Sequence, residues 1–120
     1  MSVTTTSKDG VLFVQLQDAR LLDEARIQAV EKELDAAIDA TTENGIVLDF
    51  SKVEFMSSSM LGKLVKTHKK CKGFKVKLKL CGVSADILEV FKITRLDKVF
   101  DIEKDADSAR NALLKKGLFG

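Results

Sequence analysis

The sequence contains no proline, no tryptophan and no tyrosine, and only one histidine and two cysteines among 120 residues. Without proline, element boundaries must be read from glycine, polar clusters and changes of hydrophobic period. The single histidine, His68, excludes any site that needs two imidazoles. Cys71 and Cys81 are too few for a disulfide framework. Together with His68 they leave a zinc ion one ligand short and lack the usual paired spacing. All seven aromatic residues are Phe, and Phe13, Phe50, Phe55 and Phe100 sit inside apolar runs. These four read as core rather than as platforms for stacking bases. No apolar run approaches the ~20 residues that cross a bilayer. The opening M-S-V-T-T-T-S-K-D-G has no basic start followed by an apolar stretch, so it is not a secretory signal, and a cytoplasmic location is expected.

What is present describes one soluble domain over residues 1–120, with 45% hydrophobic and 32% charged residues. A chain of this length hides roughly two-thirds of its unfolded surface and needs no metal or disulfide to fold. The net charge of +2 conceals an asymmetry: residues 1–61 carry 5 basic and 11 acidic side chains, and residues 62–120 carry 15 basic and 7 acidic. Lys63, Lys66, Lys69, Lys70, Lys72, Lys75, Lys77 and Lys79 follow one another with no acidic residue between them. Such a stripe attracts acidic partners, phosphates or nucleic acid; the blander reading, a solvated face, is preferred over nucleic acid binding.

Hydrophobic period gives the elements. Val11 to Leu16 follow the turn dipeptide Asp9-Gly10 and read as a strand, with Val3 to Ser7 as the other arm of a hairpin. Asp23 caps a helix over residues 24–40, in which Ile27, Val30, Leu34, Ala37 and Ile38 keep helical spacing. Ile46-Val47-Leu48-Asp49-Phe50 is a short apolar run, typical of a buried strand. A second helix begins at Ser57 to Ser59 and runs to Lys72, with Gly73 closing it. Val76, Leu78 and Leu80 alternate with Lys75, Lys77 and Lys79, which predicts a strand with one buried and one wet face. Ser84 caps a short helix to Phe91, Val99 to Ile102 forms a last strand, and a helix runs from Asp105 to Lys116. Strands alternating with helices give an α/β fold with a mixed, mostly parallel sheet of four to five strands, an N-terminal hairpin and about four helices. Cys71 and Cys81, at element ends, read as small packing residues.

No catalytic constellation emerges. No Gly-rich loop opens a helix in a phosphate-cradling pattern. A Ser-His-Asp site would have to use His68, which lies roughly 15 Å of helix rise from the serine cluster. Asp23 and Glu24 are explained by capping. The segment that stands out is D-F-S-K-V-E-F-M-S-S-S-M-L-G, residues 49–62: the end of a buried strand, a short loop, and three hydroxyls at a helix start. One serine is enough for a cap, which leaves hydroxyls free. A phosphate there meets unpaired N–H groups and the positive end of the helix dipole. It adds nearly two negative charges to an exposed surface and leaves the fold intact, as a reversible binding switch requires.

This segment resembles the STAS domain family, and specifically its free-standing anti-sigma factor antagonists. The family pattern is matched by Asp49, Ser51, Val53, Phe55, Met56, Ser58, Ser59, Leu61 and Gly62. The likeness continues through L-K-L-C-G-V-S-A-D-I-L-E-V-F-K-I-T-R-L-D-K-V-F-D-I, so it spans nearly the whole chain from residue 11. It implies a STAS-like domain that is not an enzyme and needs no cofactor. The implied partners are an anti-sigma factor that is also an ATP-dependent serine kinase, and a PP2C-type phosphatase. The unphosphorylated antagonist binds the first and frees a sigma factor; phosphorylation breaks that complex, and the phosphatase restores it. The phosphoacceptor falls on Ser58, with Ser57 and Ser59 as rivals, and the implied partner-contact set is Asp23, Ser57, Ser58, Ser59, Met60 and Lys63.

Three positions depart from the family pattern. Ser57 replaces an Asp, which removes a charge beside the acceptor and creates a rival hydroxyl. Met60 replaces a Gly, which puts a flexible apolar side chain on or beside the contact surface. Arg95 stands where the family often has Gly. Two other functions remain open: a constitutive scaffold or assembly subunit that is not switched, and a binder of anionic ligands through the lysine stripe.

Overall fold

The computed structural model describes residues 2–115. In chain order the elements are β1 (Val3–Lys8), β2 (Val11–Leu16), β3 (Arg20–Leu21), α1 (Glu24–Ala40), β4 (Gly45–Asp49), β5 (Phe55–Met56), α2 (Ser58–Gly73), β6 (Lys77–Cys81), α3 (Ala85–Ile93), a 3-10 turn (Leu96–Lys98), β7 (Asp101–Glu103) and α4 (Ala106–Lys115). Five strands make one sheet in the order β1-β2-β4-β6-β7, and β3 pairs with β5 in a separate two-stranded ladder. The β1–β2 hairpin is antiparallel and the other neighbours are parallel. This is the mixed α/β sheet with an N-terminal hairpin and four helices that the periodicity predicts.

Both faces of the sheet are covered, unequally. Leu12, Val14, Leu16, Ile46, Leu48 and Leu80 point into a large core completed by Ile27, Val30 and Leu34 of α1 and Leu61 and Leu64 of α2, with Ile87 and Phe91 of α3. On the opposite face, among the described residues, Val11, Val47 and Cys81, with Phe13 beside them, meet Ala106, Ala109 and Leu113 of α4. Each fully buried Leu or Ile contributes about 1.5–3 kcal/mol by leaving water. Ile46, Val47 and Leu48 of β4 are all buried, two facing one core and one the other, so a continuous apolar run was needed there. No helix among the described residues is long and apolar enough to cross a membrane.

The helix ends follow their side chains. The Asp23 carboxylate accepts from the Arg26 N–H at 2.9 Å, and the Ser84 hydroxyl accepts from the Ile87 N–H at 3.2 Å. Asp105 caps α4 by accepting from the Ser108 N–H at 2.8 Å, and that bond holds its carboxyl below the usual range. Glu33 of α1 accepts from the Ser2 and Val3 N–H groups, each at 3.1 Å, which ties the start of β1 to the helix. Burial pushes the Glu33 carboxyl up, and those N–H bonds outweigh it, leaving the group below its ordinary value.

Three expectations change, and a fourth falls outside the described residues. Gly73 is the last residue of α2, and the left-handed position after the helix is Lys75 at φ 60°. Lys79 is not on a wet face: α4 covers that side of the sheet, and the lysine is 4% exposed, with its ammonium 3.3 Å from Asp101 and 3.7 Å from Glu103. The closing strand starts two residues late, because Phe100 leaves the strand line to pack edge-on against Phe91 and His68, and Val99 is left exposed. Lys116, the expected end of the last helix, lies outside the described residues. Arg95, the departure from a family glycine, adopts φ 61°, the left-handed conformation that glycine takes without cost.

Cys71 and Cys81 are free and buried. Burial pushes the Cys71 thiol up to about 11, against the pull of Lys70. Burial, with Asp49 and Asp105 adding to it, pushes Cys81 up to about 12.

Where β6 ends, Gly82 has φ 67° and passes so close to the end of β4 that a Cβ would lie 2.9 Å from both Asp49 Oδ1 and the Ser51 nitrogen. Gly82→Ala therefore combines left-handed strain with a backbone clash and is expected to cost ~2 kcal/mol or more, read as a lowered urea midpoint. An unchanged midpoint would show that this close approach carries no strain.

Candidate functional site

The serine triplet is positioned from behind by the end of β4. The Phe50 N–H donates to the Cys81 carbonyl at 2.8 Å, extending the sheet by one bond. Asp49 turns the chain: its Oδ1 accepts from the Ser51 N–H at 2.8 Å, and its Oδ2 accepts from Gln15 Nε2 at 3.1 Å. Phe50 and Val53, 0% and 2% exposed, anchor the loop to the core.

The loop then runs along the segment before α1. The Glu54 and Phe55 N–H groups both donate to the Ala19 carbonyl, at 2.8 and 3.0 Å, and the Ser57 N–H donates to the Leu21 carbonyl at 3.0 Å. In this ladder Arg20 lies opposite Phe55 and Leu21 opposite Met56. The N-terminus of α1, with Asp23, is thereby held beside the N-terminus of α2.

The three hydroxyls differ sharply. Ser57 is the N-cap residue by backbone conformation, φ −83° and ψ 166°, yet its side chain makes no capping bond. Its Oγ is buried with no hydrogen-bond partner among the described residues. Ser58 is exposed and Ser59 half-buried. The first turn of α2 contains no acidic residue, so the positive end of its dipole is uncompensated by side chains.

Not every expected contact residue reaches this surface. Asp23 is exposed; it caps α1 and pairs with Arg26 Nε at 3.2 Å, while Arg26 also reaches Asp18 at 3.0 Å. Lys63 lies over a turn further along α2, with its ammonium 3.3 Å from Glu31 of α1. Burial raises the Glu31 carboxyl, but Lys63 and Lys66 more than offset it, so Glu31 ends below the usual carboxylate range. Met60 is 0% exposed and packs in the main core, so the expectation that it faces a partner is corrected. Two residues into the helix from Ser58, its side chain points inward with Leu61 and Leu64 rather than outward with the serines.

Phe55 corrects a second expectation. It is 48% exposed rather than core, with the Arg20 guanidinium 5.0 Å from its ring centroid. Leu22, 46% exposed, adds a second apolar side chain to the segment paired with the serine loop. Sequence reading missed this Arg20–Leu22–Phe55 patch, because V-E-F-M gives no sign of which apolar residues turn inward. The β3–β5 ladder decides it, and neither two-residue strand has a period long enough to detect. Among the described residues, no three His, Cys, Asp or Glu side chains gather as a metal site.

Residues 2–109 match the model of the STAS domain. BtrV of Bordetella bronchiseptica, which bears the provisional name of an anti-sigma factor antagonist, is 28% identical over 112 residues, covering 93% of this chain and 94% of its own. The crystal structure of an anti-sigma factor antagonist from Mycobacterium paratuberculosis superposes with a TM-score of 0.82 at 25% identity, covering 93% of this chain and 92% of that one. SpoIIAA of Bacillus in its phosphorylated form shares the fold at a TM-score of 0.68 and 15% identity, over 92% of this chain and 98% of that one.

An N-cap serine replaced by alanine ordinarily costs ~1 kcal/mol. Ser57→Ala removes instead a buried hydroxyl with no partner, so stability is expected to stay level or rise by up to ~1 kcal/mol. A loss of the ordinary size in urea unfolding would show that Ser57 does cap α2 in solution.

Proposed function

The chain belongs to the STAS domain family, and from that premise we propose that it is a partner-switching regulator: an antagonist that binds an anti-sigma factor with serine kinase activity and lets go when Ser58 is phosphorylated. The observation that supports this reading is the contrast among the three hydroxyls. Ser58 offers an exposed hydroxyl at a helix start, while the Ser57 Oγ is buried. A kinase must reach the hydroxyl it modifies, which favours Ser58 over Ser57. Both the sigma factor and the ATP that such a partner consumes are cytoplasmic, so the regulator acts there.

The physics of release is local. The helix N-terminus tolerates a phosphate well, so the fold is not disturbed. The partner, having bound a neutral hydroxyl, meets nearly two negative charges and must desolvate them. A PP2C-type phosphatase reverses the change. Asp23, Ser57, Ser58 and Ser59 form the contact surface, extended by Arg20, Leu22 and Phe55. Exposed aromatic and arginine side chains of this kind carry a large share of the energy in protein interfaces. Lys63 supports the surface indirectly, by fixing α2 to Glu31 of α1.

The deciding experiment is phosphosite mapping by mass spectrometry on the protein isolated from its own cells, with and without phosphatase. The expected result is one phosphoryl group on Ser58, removed by the phosphatase. Ser58→Asp is expected to keep the circular dichroism spectrum and weaken capture of the co-purifying partner at least ~tenfold, since one uncompensated interfacial charge costs several kcal/mol. Ser58→Ala keeps capture and loses phosphorylation. A Ser58→Asp protein that holds the partner as tightly as the parent overturns the switch and leaves an unswitched assembly subunit.

Gly62 separates binding from stability. It is exposed within α2, and a Cβ there would meet nothing within 4 Å. Alanine should stabilise the isolated protein by about 0.5–1 kcal/mol, the helical penalty of glycine. If the glycine is there to let a partner's backbone approach, Gly62→Ala raises the urea midpoint and weakens capture together. Undiminished capture would remove Gly62 from the interface.

A further inference from the structure

The basic stripe of eight lysines is not a uniform charged face. Lys63 and Lys66 pair with Glu31, Lys70 with Asp35 and Asp39, and Lys79 with Asp101 and Glu103. Lys69, Lys72, Lys75 and Lys77 have no carboxylate partner among the described residues. Two of these four, Lys72 in the last turn of α2 and Lys77 at the start of β6, line the same cavity of about 240 Å³.

The cavity exists because β7 is short. It pairs only with Lys79 to Cys81, which leaves the edge of β6 ahead of Lys79 without a neighbouring strand. The end of α2 closes one side of the opening and α4 the other. Val76, Leu78 and Leu113 give it an apolar lining, and Lys79, its side chain only 5% exposed, stands on the wall beside Asp101.

Charge and size narrow the occupant. Lys72, Lys77, Lys79 and Asp101 line the cavity, and Glu103, just outside the lining, pairs with Lys79, so the formal balance of these five groups is one positive charge. A monoanion neutralises that balance, and a dianion overshoots it next to two carboxylates. The volume equals that of roughly eight waters at ~30 Å³ each, enough for a short apolar body and too little for a drug-sized ligand. We infer that this cavity binds a small organic carboxylate, its head between Lys72 and Lys77 and its apolar body against Val76, Leu78 and Leu113. His68, on the cavity wall, is ten residues along α2 from Ser58, or roughly 15 Å at ~1.5 Å per residue. The site therefore does not depend on the switch.

The test is a titration of the ¹⁵N-labelled full chain with sodium hexanoate, followed by amide shifts. Saturable shifts at Lys72, Val76, Lys77, Leu78 and Leu113 are expected, with affinity on the order of millimolar for so small a ligand. Lys72→Gln and Lys77→Gln should each weaken binding about three- to tenfold, the range of a partly exposed charge-assisted contact. Lys69→Gln, from the same stripe but outside the cavity, should leave it unchanged. The inference is overturned if neutral hexanamide binds as tightly, if inorganic phosphate shifts the same amides as strongly, or if shifts scatter along the whole stripe. Absence of any saturable shift overturns it equally.

Discussion

The end of β4 carries the constraint on which the rest of the site depends. Three things meet there: the bond that extends the pairing of β4 with β6, from the Phe50 N–H to the Cys81 carbonyl; the turn that Asp49 makes with the Ser51 N–H; and the close passage of Gly82 behind both. None of these groups belongs to the Ser57–Ser59 triplet. Together they fix where the chain leaves the sheet, and the loop has little freedom before Phe50 and Val53 anchor it in the core. The helix start is thus held from its rear, leaving its front open.

That division explains how a helix can begin with an uncapped first turn and remain in place. The backbone of Ser57 is bound to Leu21, and Met60, Leu61 and Leu64 are sunk in the core, so the missing side-chain cap is offset by packing. Lengthwise, α2 is joined to α1 by Lys63 and Lys66 on Glu31, and by Lys70 on Asp35 and Asp39. These partly exposed pairs contribute modestly to stability, but they match the acidic first half of the chain to the basic second half along one seam. Part of the charge asymmetry of the sequence is an internal complementarity between two neighbouring helices.

The helices, the hairpin and the doubly buried β4 were legible because each has a period or a cap that acts locally. Asp23 and Ser84 cap where they were expected to, and Ile27, Val30 and Leu34 face inward as their spacing requires. Lys79 was misread because alternation tells which residues share a face and not whether a later helix will cover it. Phe55 and Met60 were misread in opposite directions. Within F-M-S-S-S-M, a loop becomes a two-residue strand and then a helix, and each change of period resets which side chain faces the core. The family pattern located the serines, but only burial separates Ser57 from Ser58.

The unequal covering of the sheet has a consequence for how the molecule opens. Among the described residues, the face under α4 is closed by Ala106, Ala109 and Leu113 on Val11, Phe13, Val47 and Cys81, whereas the other face joins three helices. A unit held by so few apolar side chains lifts away at lower free energy than the whole domain unfolds. Cys81 lies beneath α4 and Cys71 within the larger core. The two thiols therefore sit behind different doors, and the order in which a thiol reagent finds them records which door opens first.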